Sequence, residues 1–181
     1  LDTRPVARPP FAATAASEAA IEAGTRLNAT HVAVLASIGH DHPRVVGRPR
    51  VGVLSTGDEL AGPAGGASSI RDANRPGLIA LVRADGATPV DLGVVGDDAA
   101  ELAGRLERAI DDCDVVIMTG GVSVGDHDHV KHVLAELAER SAGVARWMRV
   151  AVRPAKPLMF ATIGGVPVLG LPGNPASAFV S

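Results

Sequence analysis

The run Val115-Val116-Ile117-Met118 constrains this fold more than any other stretch. It is short, apolar and largely β-branched, and it follows the polar Asp112-Cys113-Asp114. That is the pattern of a strand buried on both faces of a parallel sheet. It breaks at Thr119-Gly120-Gly121, where two glycines admit positive φ and let backbone N–H groups approach a ligand closely. Ser123, Asp126 and Asp128 follow. A helix is predicted to begin near Asp128, with Val130, Val133, Leu134 and Leu137 at i, i+3, i+4 and i+7. A strand, a glycine loop and a helix in this order put ligand groups at the carboxyl edge of a sheet. A plain tight turn with Asp128 as helix cap gives the same local pattern, so the other loops must decide.

From Pro49 onward the alternation recurs. Strands are predicted over 51–55, 90–95, 115–118, 144–152, 158–162 and 166–169, with 144–152 and 158–162 as a hairpin-like pair. Between them lie a helix capped by Asn74 with Pro76 in its first turn, and a helix carrying Leu102, Leu106, Ala109 and Ile110. Leu78, Leu81 and Val82 mark the buried face of the first, and Gly86 stops it. A last helix follows Pro175. Strands separated by helical patterns of 10–15 residues mean βαβ units. The expected architecture is α/β: three αβα layers, a mostly parallel sheet and helices on both faces. Residues 1–20, rich in Ala, Pro and Arg, read as linker, and a short helix is predicted over 30–37, ended by Gly39. The division is therefore a linker and remnant of a preceding domain over 1–48, then one domain over 49–181.

Bulk properties exclude several classes. A formal charge of −3 gives no basic field for nucleic acid or an anionic membrane. With 2% aromatic residues there is no base-stacking platform. The single cysteine, Cys113, excludes an internal disulfide framework and fits a reducing, cytoplasmic location. No apolar run approaches the roughly 20 residues that span a bilayer.

Four loops follow four predicted strands, at 56–60, 96–98, 119–128 and 170–177, and a parallel sheet would gather them at one edge. Three are acidic: Asp58 with Glu59, Asp97 with Asp98, Asp126 with Asp128. Capping accounts for one acid per loop, as at Asp98, but not for the doubling. Converging carboxylates call for a hard divalent cation such as Mg²⁺, bridging to a phosphate. Arg146, Arg149, Arg153 and Lys156 supply the opposite sign. Strand period places Arg149 and Arg153 on one side, and Arg153-Pro154-Ala155-Lys156-Pro157 is a stiff turn suited to an oxyanion. A solvated basic edge that discourages aggregation is the bland alternative. His127, His129 and His132 lack cysteine or acid partners at a structural-zinc spacing, and read as incidental.

Six ordered motifs resemble the MogA/MoeA superfamily of molybdenum-cofactor biosynthesis. They are Ser55-Thr56-Gly57-Asp58-Glu59-Leu60, Asp72-Ala73-Asn74, Leu92-Gly93-Val94-Val95-Gly96-Asp97-Asp98, Thr119-Gly120-Gly121-Val122-Ser123-Val124-Gly125-Asp126-His127-Asp128, Lys156-Pro157 and Leu171-Pro172-Gly173-Asn174-Pro175-Ala176-Ser177. The Gly-Gly-Val-Ser and Pro-Gly-Asn-Pro forms resemble the MoeA branch, the molybdopterin molybdenumtransferases also found as the gephyrin E domain. The resemblance implies a MogA-like fold and a Mg²⁺-assisted reaction in which adenylylated molybdopterin and molybdate give the molybdenum cofactor and AMP. It implies Glu59, Asp97 and Asp128 as the essential acids and metal ligands. It implies Gly120, Gly121, Ser123, Asp126, Arg149, Arg153, Lys156, Pro172, Asn174, Pro175 and Ser177 as substrate-binding residues, with Arg153 and Lys156 toward molybdate. A homodimer in the longer enzyme and a MogA-type adenylyltransferase partner are also implied. This chain departs from the family pattern at Ala155, usually Gly, at Arg153, commonly Lys, and at His129, usually Tyr. The family enzyme carries further domains, so the resemblance implies a central domain truncated near its C-terminus. The alternatives are a MogA-like adenylyltransferase and a non-catalytic pterin-binding or scaffold module.

Overall fold

A computed structural model of the chain describes residues 19–60, 70–121 and 129–181. It comprises two units, Leu1–Gly47 and Arg48–Ser181. In the first, helix α1 spans Ala29–Ser37. Asn28 caps it by accepting from the His31 N–H at 3.0 Å, while His31 Nδ1 accepts from the Asn28 N–H at 3.2 Å.

The second unit is built on a six-stranded sheet. The strands are β1 (Arg50–Thr56), β2 (Thr88–Val95), β3 (Val115–Thr119), β4 (Ala145–Arg149), β5 (Pro157–Ile163) and β6 (Val166–Leu171). Their order across the sheet is β2-β1-β3-β6-β5-β4. β2, β1, β3 and β6 are mutually parallel, and β5 runs antiparallel to both β6 and β4. The parallel core is thus extended by two hairpins. The Gly164-Gly165 turn, with φ of 58° and 84°, makes the β5–β6 hairpin.

Period-two alternation sends neighbouring strand residues to opposite faces, and the helices divide accordingly. On one face, α3 (Ala99–Asp112) and α4 (His129–Arg140) bury Leu102, Leu106, Val130, Val133, Leu134 and Leu137 against Leu54, Val116, Met118 and Met159. On the other, α2 (Asn74–Ala84) and the short α5 (Pro175–Ala178) bury Leu78, Ile79, Val82 and Ala178 against Val51, Val53 and Leu171. The three αβα layers and the mostly parallel sheet agree with expectation. Truncating a side chain as enclosed as Leu106 or Leu134 would cost about 2–5 kcal/mol.

Three local expectations need correcting. Leu81 points outward, 47% exposed, and Ile79 takes its place in the core, because α2 meets the sheet through 78, 79 and 82. β4 ends at Arg149, so strand period does not carry Arg153 onto the same side. Asn74 is not the cap of α2: that position falls to Ala73, which makes no side-chain cap bond. Asp72 accepts the Arg75 N–H at 3.1 Å instead.

Candidate functional site

The ends of the parallel strands coincide. Thr56 pairs with Val95, Ser55 with Thr119, and Thr119 with Leu171, so the loops after β1, β2, β3 and β6 leave the sheet at one edge. β4 runs in the same direction as β6, and the turn from Arg149 to Pro157 leaves from that edge as well. Reading along the edge, the acidic loops stand at β2 and β1. The glycine pair stands at β3, the Pro-Gly-Asn-Pro loop at β6, and the basic turn at β4–β5. Three strand spacings separate β1 from β5, about 14 Å. The edge is polarised, with acid at one end and base at the other.

The acidic loops divide their labour. The Asp58 carboxylate accepts the Asp97 N–H at 2.8 Å, which ties the β1 loop to the β2 loop. It passes so close to Gly96 that a Cβ there would sit 2.6 Å from Asp58 Oδ1. Asp98 caps α3, accepting from the Glu101 N–H at 2.9 Å. Glu59 and Asp97 are exposed, and among the described residues neither makes a side-chain bond of this kind. Glu59 lies in the 3-10 turn Asp58–Leu60, with its carboxylate folded over Gly57. Its carbonyl accepts the Ile70 N–H at 2.7 Å, anchoring the far side of the loop.

The centre of the edge is closed by hydroxyls. Ser55 Oγ and Thr119 Oγ1 are 3.2 Å apart, and Thr56 Oγ1 donates to the Thr119 carbonyl at 3.3 Å. All three residues are buried. Gly120 and Gly121 follow with φ of 88° and 62°. A Cβ on Gly120 would run into the Thr56 carbonyl, so glycine is required by contact as well as by φ. Gly173 lies beside Gly120, where a Cβ on Gly173 would be 3.6 Å from the Gly120 Cα.

The β6–α5 loop is held at two points. Asn174 caps α5 by accepting from the Ser177 N–H at 3.3 Å, with Pro175 in the first helical turn. Asn74 Nδ2 donates to the Gly173 carbonyl at 2.8 Å, from 99 residues away in the chain. Pro172 and Ser177 are buried; Asn174 and Pro175 are exposed. Next to Asn74, Arg75 bonds Asp72 at 2.9 Å and both carboxylate oxygens of Asp91 at 2.6 Å. Burial works against the Asp91 charge, but the Gly93 N–H and the Arg75 guanidinium hold its carboxyl below the ordinary range. Arg75 is likewise held above its ordinary value despite burial.

On the basic side, the Val150 N–H donates to the Lys156 carbonyl at 2.9 Å and closes the turn. Arg149, Arg153 and Lys156 are exposed around it. Ala155 is buried with φ of 93°, a conformation that favours glycine.

Of the residues singled out from sequence, Glu59, Asp97, Gly120, Gly121, Arg149, Arg153, Lys156, Pro172, Asn174, Pro175 and Ser177 therefore belong to one sheet edge. Ser123, Asp126 and Asp128 lie outside the described residues. Among the described residues, no group of three His, Cys, Asp or Glu side chains is gathered to hold a metal ion. Glu59 and Asp97 are two of the three expected ligands, and hard carboxylate oxygens suit Mg²⁺. Two contributors escaped the sequence reading: Asp58 as a clamp, and Asn74 as a cross-link to Gly173. The signal for Asn74 was present in Asp72-Ala73-Asn74, but asparagine at a helix start reads first as a cap. No helix among the described residues is long and apolar enough to cross a membrane.

Comparison with known proteins identifies the family. A family model described as a probable molybdopterin binding domain matches residues 52–181. A molybdopterin molybdenumtransferase from a Nostoc species is 41% identical over 170 residues, covering 89% of this chain and 37% of that protein. The Haemophilus influenzae protein of the same name is 36% identical over 163 residues, covering 89% and 39%. The crystal structure of a molybdopterin biosynthesis moea protein from Pyrococcus horikosii superposes with a TM-score of 0.70 at 32% identity, over 86% of this chain and 38% of that one. The chain spans under two fifths of the length of each of these relatives. Because the matched segment takes in the whole polarised edge, this chain belongs to the probable molybdopterin binding domain family.

Proposed function

We propose that this chain is the substrate-binding and anhydride-cleaving domain of a molybdopterin molybdenumtransferase: adenylylated molybdopterin and molybdate give the molybdenum cofactor and AMP. The observation that carries the reading is the polarised edge. Exposed Glu59 and Asp97 stand at one end, the glycine pair at the centre, and Arg153 and Lys156 at the other. The names of the curated relatives favour this transferase over an adenylyltransferase or an inert scaffold.

Each part has a task suited to its chemistry. Gly120 and Gly121, lacking a Cβ and held at positive φ, would let backbone N–H groups approach the anhydride phosphates. Glu59 and Asp97, with Asp128, would hold Mg²⁺, which supplies charge neutralisation at the anhydride. Asp58 keeps Asp97 in place through its N–H. Arg149, Arg153 and Lys156 receive the molybdate oxyanion through charge-assisted hydrogen bonds, and Ser177, with Ser123 and Asp126, completes the substrate contacts. Pro172, Asn174 and Pro175 shape the wall beside the pterin. The same reading carries a cytoplasmic location, homodimerisation of the longer enzyme, and substrate supplied by a MogA-type adenylyltransferase.

The test is anaerobic turnover of adenylylated molybdopterin with Mg²⁺, with and without molybdate, followed as AMP release. Molybdate-dependent release, lowered on the order of a hundredfold by Asp97→Asn in a folded protein, is the expected result. A folded protein that neither binds nor cleaves this substrate would overturn the reading.

A further inference from the structure

Asn74 is 7% exposed, yet its Oδ1 is buried with no hydrogen-bond partner among the described residues. Buried polar atoms are nearly always paired, and an orphaned acceptor costs stability. The usual reason for asparagine at a helix start is capping, and here Asp72 does that instead. The Asn74 side chain therefore serves something other than the cap of its own helix.

Its side-chain bond among the described residues shows what. Nδ2 reaches across the sheet edge to the Gly173 carbonyl at 2.8 Å, between Pro172 and Asn174. Gly173 in turn lies against Gly120, the first glycine of the β3 loop. The base of the clamp is rigid: Arg75, the next residue, is locked between Asp72 and Asp91 on β2. Segment 171–178 carries no ionisable side chain that could hold this loop by charge.

We propose that Asn74 is a positioning residue for substrate. It fixes the Pro172–Pro175 loop against the Gly120-Gly121 pair, so that both walls of the pterin-phosphate cradle are set before ligand arrives. The ligand class rests on the function proposed above; the loop-fixing role does not.

The experiment uses two near-isosteric variants, Asn74→Leu and Asn74→Asp, in the full chain. Amide exchange is read at Ser177, Ala178 and Phe179, and affinity is read with molybdopterin under anaerobic conditions. Asn74→Leu removes the orphaned acceptor, so Tm is expected to hold or rise, while exchange at those amides and Kd each increase about tenfold, the worth of one such bond. Asn74→Asp sets a carboxylate oxygen against the Gly173 carbonyl, and a larger loss than for Leu is expected. A merely space-filling role would leave affinity unchanged, or lower it in step with Tm. Wild-type exchange and affinity in a folded Leu variant would overturn the proposal. Should the Leu variant fail to fold, wild-type exchange in the Asp variant would overturn it equally. If the unsubstituted chain binds no molybdopterin, the function reading fails, and the exchange data still decide the role of Asn74.

Discussion

The Asp58 carboxylate accepts the backbone N–H of Asp97 at 2.8 Å, so one acid of the first doublet holds in place the loop that carries an acid of the second. With Asp98 committed to the α3 cap, each of the two described doublets keeps one structural acid and leaves the other exposed. That division accounts for the paired carboxylates that capping alone does not explain. It also makes the two kinds of acid separable by substitution. Asp58→Asn keeps the acceptor oxygen and should retain AMP release within about threefold, whereas Asp58→Ala should lose about tenfold by unpinning the loop. Under the proposed reaction, Glu59→Gln and Asp97→Asn should each lose on the order of a hundredfold with the fold intact, since each removes a charge that would act at the anhydride. Steady-state rates beside circular dichroism check this. Equal losses in Asp58→Asn and Asp97→Asn would show that the labour is not divided.

Gly120→Ala tests the centre of the edge. The added methyl meets the Thr56 carbonyl, and φ of 88° is unfavourable for alanine. Backbone strain of about 1–2 kcal/mol and overpacking of about 1–3 kcal/mol add to a loss of roughly 2–5 kcal/mol in unfolding free energy. Urea denaturation measures it. A loss below about 1 kcal/mol would mean that the loop yields readily, and that its glycines serve ligand approach alone.

How much of this was legible in the sequence follows from which interactions are local. The strand-to-loop transitions at 55–57 and 118–121 were readable, because apolar β-branched runs and glycine pairs carry their own conformational preference. The Asp98 cap was readable for the same reason. Asn74 was not: its partner, Gly173, is 99 residues away, and no local rule distinguishes a helix-start asparagine that caps from one that reaches elsewhere. Leu81 fits the helical spacing as well as Ile79, and only the docking angle of α2 decides which is buried. Arg153 was misplaced with Arg149 because period two was carried past the end of β4.

Ala155 gives a prediction in which opposing terms nearly cancel. Its φ of 93° costs an alanine about 1–2 kcal/mol, which glycine would relieve. Against that, Ala155→Gly loses a buried methyl, about 0.8 kcal/mol, and frees the unfolded chain by about 0.4–1 kcal/mol. The expected net change is within about 1 kcal/mol of zero. Ala109→Gly is the control: an equally buried alanine inside α3, with no strain to relieve, should cost about 1–2 kcal/mol. A cost for Ala155→Gly matching that of Ala109→Gly would remove the claim of strain at the basic turn.

The Arg75–Asp91 pair supplies a pH-dependent prediction whose sign can be worked out. Asp91 has a folded-state value below its ordinary 3.8, so its contribution is present above that ordinary value and is lost as pH falls through the lower folded one. Arg75 stays charged throughout and adds no titration of its own in this window. The Asp91 side chain is 53% exposed, so solvent screening holds the contribution to less than about 1 kcal/mol. Asp91→Asn should therefore be slightly less stable than the unsubstituted chain at pH 7. The gap should stay constant down to about pH 5, begin to narrow near the ordinary 3.8, and close as pH falls through the lower folded value. Paired urea titrations at pH 7 and pH 3 measure it. A gap as wide at pH 3 as at pH 7 would assign the effect to lost packing, and not to the charge that the Gly93 N–H and Arg75 hold.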